Sequence, residues 1–141
     1  MIVVVAVDDR NGMTFNHRRI SQDKLLRQYI LDISVRSGYN LWMNAYTRKL
    51  FKDLTEQEES CISVDEDYLG KASSGEFCYV ENCAVKPYEQ KVEKILYCLW
   101  NRAYPADTYW DIDMSRWVLA SSEDIIGSSH EKITINSYIR K

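Results

Sequence analysis

Apolar and polar positions change rhythm along this chain, and the changes mark its elements. Ile2–Val7 is an unbroken, Val-rich apolar run, the pattern of a central strand covered on both faces. Asp8-Asp9-Arg10-Asn11-Gly12 ends it with turn chemistry. Leu25, Tyr29 and Ile33 then recur every four residues, with Leu26 and Ile30 beside them. That spacing predicts an amphipathic helix with Ser21 as its N-cap and Ser37-Gly38 as its end. Short apolar runs at 39–43, 61–64, 77–80 and 95–100 read as further strands. Helices are expected over 45–54, with an acidic loop after it, and over 66–72, capped by Asp65. Pro87 limits any helix in the connection before residue 95. Near the end the period becomes two. Ile133, Ile135 and Ile139 share one side of a strand at 133–139, joined to a strand at 117–120 by a polar loop containing Gly127. Strand–helix alternation followed by a terminal strand pair predicts an α/β fold. The expectation is a single domain over 1–141: a central, mostly parallel sheet flanked by helices, with antiparallel C-terminal strands.

Composition agrees with that picture. The chain has 141 residues, 45% of them hydrophobic, with 5 Gly and 2 Pro. A domain of this size buries enough surface to fold without disulfides or a structural metal. The longest apolar run, Ile2–Val7, is far short of the ~20 residues of a membrane helix. It also lacks the basic flank and cleavage site of a signal peptide, so a cytoplasmic location is expected. The net charge of −3 gives no bulk attraction to nucleic acid. Charge is nevertheless uneven. Residues 10–27 carry five Lys or Arg and one acid, and 53–67 carry seven acids and no base. Cys61, Cys78, Cys83 and Cys98 lack the spacing of a zinc or redox motif and read as reduced structural thiols.

Several polar groupings are candidates for chemistry. Asn16-His17-Arg18-Arg19 offers donors for a phosphate or carboxylate, or is simply an exposed basic loop. Ser128-Ser129-His130-Glu131-Lys132 places hydroxyl, imidazole and carboxylate side by side, but consecutive residues mostly point apart. A polar loop is therefore the better reading there. Asp107, Asp111 and Asp113 lack the glycine and terminal glutamate of an EF-hand, and no metal site is expected. No phosphate-cradling glycine loop is present.

The order of elements, with its landmarks, resembles the dihydrofolate reductase fold family. The landmarks are the apolar strand 2–7, Gly12-Met13, Asp23 eleven residues on, a strand ending at Met43, and Thr47. They continue with Tyr88-Glu89-Gln90, the strand at 95–100, Asp107-Thr108-Tyr109-Trp110 and Ser129-His130. The resemblance implies a pocket at the C-terminal ends of the central strands for a pterin, nucleotide or similar heterocycle. Asp23 would be its anchor and catalytic acid, His17, Arg18 and Arg19 lid donors, and Thr47 a further contact. The other reading of Asp23 is a favourable charge in the first helical turn.

The same comparison sets this chain apart from a reductase. Where the family has Gly-Gly after the strand 77–80, this chain has Glu81-Asn82, and its Gly-Arg before Thr47 is replaced by Asn44-Ala45. The family's loop tryptophan aligns with Arg18. Side chains and a carboxylate at these positions disfavour NADPH. Two functions stay open: an oxidoreductase-related enzyme with a small-molecule pocket, or a non-catalytic binding or regulatory protein on the same scaffold.

Overall fold

A computed structural model describes residues 1–141. Seven strands form one sheet in the order β5-β4-β6-β1-β7-β10-β9. They are β1 (Ile2–Val7), β4 (Leu41–Met43), β5 (Ile62–Val64), β6 (Phe77–Val80), β7 (Lys94–Leu99), β9 (Trp117–Ile125) and β10 (Ile133–Arg140). β1 sits inside, parallel to β6 on one side and β7 on the other. β10 runs antiparallel to both β7 and β9. The parallel core and antiparallel C-terminal strands are as the residue pattern predicts.

The Val-rich run explains the position of β1. Its side chains alternate between two buried layers. Val3, Val5 and Val7 face a core with Tyr68, Leu69, Val85, Trp110 and Ile112, while Val4 faces one with Leu26, Ile30, Phe77 and Leu96. At roughly 1.5–3 kcal/mol per fully buried aliphatic side chain, only an interior strand rewards such a sequence. Helix α1 (Lys24–Ser37) covers the second layer through Leu26, Ile30, Leu31 and Ser34, and ends at Gly38 in the left-handed conformation, φ 76°. Helices α2 (Ala45–Arg48), α3 (Glu56–Ser60) and α4 (Tyr68–Lys71) are short. No helix is long and apolar enough to cross a membrane.

The structure redraws several boundaries. Helix α1 is capped by Asp23, not Ser21. The helix expected over 45–54 stops at Arg48. The acidic segment contains α3, which buries no residue and so has no apolar period to reveal it. A Thr55–Glu58 capping box and acids in its first turn hold it instead. Helix α4 starts at Tyr68 rather than Glu66. β9 extends to Ile125, because an edge strand needs only its partner's backbone. A second sheet of β2 (Gly12–Phe15), β3 (Arg18–Arg19) and β8 (Thr108–Tyr109) was not legible in the short polar segments that form it.

Candidate functional site

The C-terminal ends of β1 and β6 form the floor of a cleft, with Ala6, Tyr79, Val80 and Glu81. Met13 of β2 and the segment Arg19-Ile20-Ser21 roof it, and Trp100 closes one side. The remaining cavity is about 10 Å³, room for one water molecule.

Arg19 does most of the closing. Its Nε and Nη2 donate to both oxygens of Glu81 at 2.8 and 3.0 Å, and its guanidinium stacks 4.2 Å from the centre of the Tyr46 ring. Burial disfavours the guanidinium charge, but Glu81 outweighs that and raises the Arg19 pKa. Thr47 is fully buried beneath the pair and donates its hydroxyl to Glu81 Oε1 at 2.8 Å. Beside this contact, Asn44 Nδ2 donates to Asn82 Oδ1 at 2.8 Å. The segments 44–47 and 81–82 are thus joined side chain to side chain. The amide of Ala45, at the start of α2, donates to the carboxylate of Glu66 at 2.9 Å. Arg48 is occupied too, donating to the Phe51 carbonyl at 2.6 Å.

Asp23 does not line the cleft. One carboxylate oxygen accepts from the Leu25, Leu26 and Ser128 amides at 2.9, 3.2 and 3.0 Å. The other accepts from the Ser129 amide at 2.9 Å and meets His130 Nδ1 at 3.0 Å. The Ser128 and Ser129 hydroxyls add longer contacts. Burial opposes ionisation here, but the Ser128 amide, His130 and the remaining amides win and hold Asp23 well below the usual carboxylate range. The residue expected to anchor a heterocycle has its acceptor positions filled by the protein itself. It ties the loop 128–130 to the start of α1.

His17 and Arg18 are exposed, and neither lines the cleft. Asn16 and His17, at φ 53° and 64°, form the two-residue turn between β2 and β3, a geometry that right-twisted hairpins favour. Of the expected lid donors only Arg19 reaches the cleft. Asp107, Asp111 and Asp113 accept separate backbone bonds from Asn16, from Val85 and Lys86, and from Ser115. No group of three or more metal-ligating side chains converges. All four cysteines are free.

A larger opening lies elsewhere, between α1 and the chain linking α2 to α3. Leu31, Leu50, Phe51 and Leu54 line a groove of about 280 Å³, rimmed by Lys24, Arg27 and Lys52 with Asp53 and Glu58. The basic bias of residues 10–27 supplies two of those three cations. The groove itself needed the tertiary approach of α1 and the link between α2 and α3, and had no sequence signal.

No protein-family model matches the chain, and no curated protein does. Solved structures do. A dihydrofolate reductase from Enterococcus faecalis, complexed with NADP(H) and RAB-propyl, superposes with a TM-score of 0.65 over 99% of this chain and 95% of that one, at 10% sequence identity. The fold is dihydrofolate reductase-like. At this identity the likeness concerns the backbone, and the site must be argued from its own residues. The dihydrofolate reductase-like frame accounts for where the cleft lies, at the C-terminal ends of parallel strands. The residues in it are Arg19, Glu81 and Thr47, of which Glu81 was read in sequence only as an obstacle to a cofactor.

Proposed function

We propose that this protein binds a small anionic organic molecule and does not transfer hydride. The observation that carries the reading is the closure of the cleft by the Arg19–Glu81–Thr47 cluster. A pterin ring cannot share 10 Å³ with it, and Asp23, committed to the cap of α1, offers no free carboxylate edge. NADPH is disfavoured by the same contacts. Its approach would have to separate Thr47 from Glu81 and Asn44 from Asn82, and to displace the Glu66 carboxylate from the first amide of α2. A phosphate would meet two carboxylates there.

The α1 groove supports a binding role better. Its floor is apolar and its rim holds three cations against two carboxylates, a positive surplus that suits a planar heterocycle bearing a carboxylate or phosphate, a pterin carboxylate or a nucleotide among them. A thermal-shift panel of NADPH, NADH, folates and nucleotides, followed by calorimetric titration, tests this. The expected result is no NADPH binding tighter than the millimolar range, about −4 kcal/mol. An anionic heterocycle at 100 times its dissociation constant should stabilise the fold by about 2.7 kcal/mol. Arg27→Ala and Lys52→Ala should remove that shift. A micromolar constant for NADPH would overturn the proposal.

A further inference from the structure

We propose that Ser21, His130 and Asp23 form a nucleophile, base and orienting acid, and that Ser21 accepts the acyl group of small esters, which the protein hydrolyses. The proposal goes beyond the binding role and does not depend on the α1 groove.

Ser21 and Asp23 stand two residues apart before α1, and His130, from the loop ahead of β10, reaches both of their side chains. Asp23 Oδ2 lies 3.0 Å from His130 Nδ1, and His130 Nε2 lies 3.0 Å from Ser21 Oγ. An ionised carboxylate only accepts, so Nδ1 carries a proton, and in the neutral ring Nε2 keeps a lone pair toward the hydroxyl. The imidazole is held in place. It is buried, and its ring stacks on Trp100 with centroids 4.6 Å apart and planes 23° from parallel. Asp23 is fixed by the amides of α1 and the 128–129 loop.

Ser21 has no evident task in the fold. Asp23 performs the capping that Ser21 was expected to perform. The only hydrogen-bond partners of the Ser21 hydroxyl are His130 Nε2 and the Tyr104 hydroxyl, at 3.0 and 3.2 Å. Tyr104 also lies 3.0 Å from Nε2, so a second hydroxyl stands beside the base and the nucleophile. Ser21 lines the small cleft with Arg19 and Trp100. The cleft itself holds no more than a water, so an ester must reach the half-buried Ser21 from its solvent side.

The chemistry balances without any added reagent. As the Ser21 Oγ–carbon bond forms, the hydroxyl proton passes to His130 Nε2. The ester carbon–oxygen bond then breaks, and that proton goes to the departing alkoxide. Water attacks the acyl-serine, gives a proton to Nε2, and releases a carboxylic acid as Ser21 recovers its hydrogen. The sum is ester plus water to acid plus alcohol. His130 touches the reacting oxygen, and Asp23 is a positioning residue that acts through it.

The test treats the folded protein with a fluorophosphonate probe, maps the adduct by peptide mass spectrometry, and follows p-nitrophenyl acetate turnover in parallel. The expected result is one adduct, on Ser21, and no labelling or turnover above background in Ser21→Ala. His130→Gln should slow labelling on the order of 100-fold while circular dichroism shows the fold intact. Asp23→Asn should slow it and move the pH–rate profile downward, because the carboxylate that favours imidazolium is gone. Should either variant fail to fold, the wild-type profile decides. Of the titratable groups touching the ring, Asp23 stays ionised and Tyr104 is a phenol, while the neighbouring Glu131 and Lys132 are exposed. The labelling rate should therefore rise with pH, as it does when an imidazole must act as a base. An unlabelled Ser21, a label scattered over several serines, or a rate independent of pH would overturn the proposal.

Discussion

Asp23 shows how one residue can be read correctly in type and incompletely in role. A carboxylate at the start of a helix satisfies the dipole at a gain of about 0.3–1 kcal/mol. Here it also collects the amides of Ser128 and Ser129 and orients His130. Asp23→Asn keeps an acceptor for the cap but turns an NH2 toward the Ser129 amide and the imidazole. Hydrogen bonds to a charged group contribute about 1.5–3 kcal/mol each, so the variant should lose about 2–4 kcal/mol in urea denaturation. The sign of the pH effect follows from the lowered folded-state pKa. The unfolded chain takes up the proton first, near its ordinary value of about 3.9. The contribution is thus complete above about pH 5 and is lost as pH falls below 4. The wild-type urea midpoint should drop over that interval, and the Asp23→Asn midpoint should drop less. Gly127 belongs to the same contact. A Cβ there would lie 2.5 Å from Asp23 Oδ2 and 2.7 Å from the His130 carbonyl oxygen. Gly127→Ala should therefore destabilise by about 1–3 kcal/mol, as overpacking does. A thermal midpoint equal to wild type would contradict this.

Among the elements, the link between the β2–β3 hairpin and β6 matters most, because it closes the cleft. The Arg19 and Glu81 side chains are 21% and 7% exposed, so removing one partner strands a nearly buried charge. Arg19→Ala should cost about 3 kcal/mol, and Arg19→Met combined with Glu81→Met should recover most of it. A double-mutant cycle with no coupling would remove the argument that this pair holds the hairpin down. Helix α3 buries no residue and is held by its capping box, with Gln28 of α1 donating to Glu58 at 2.9 Å. Thr55 accepts from the Glu58 amide at 3.1 Å, and Glu58 accepts from the Thr55 amide at 3.0 Å. Thr55→Ala should cost about 1 kcal/mol. The loss should appear first as faster amide exchange at 56–60, since no core contact compensates.

For the molecule as a whole, the sheet order sets a gradient of stability. β1 is hydrogen-bonded on both sides and packed on both faces, whereas β5 and β9 are edges. Native-state hydrogen exchange should find the slowest amides in β1, β6 and β7, opening only with global unfolding, and the fastest strand amides in β9. Comparable protection in β9 and β1 would show that the antiparallel edge belongs to the same cooperative unit. A dihydrofolate reductase-like backbone is present here with its cleft filled. Backbone topology is carried by the two apolar layers, which tolerate any side chains of suitable volume, whereas a cofactor site depends on a few positions.

The sequence alone determined what depends on period and on local chemistry. The unbroken apolar run placed β1 inside the sheet, the four-residue recurrence placed α1, and the alternating isoleucines placed β10. The order of these elements carried the likeness to the reductase fold. Tertiary structure decided the rest. Only the folded chain brings Arg19 to Glu81, 62 residues away, and His130 to Asp23, 107 residues away. Polar contacts of that range leave no periodicity, because each partner looks like an ordinary surface residue until the sheet brings it to the other. For the same reason Ser21 reads as a helix cap in sequence. Once Asp23 takes the cap, the Ser21 hydroxyl is left facing an imidazole.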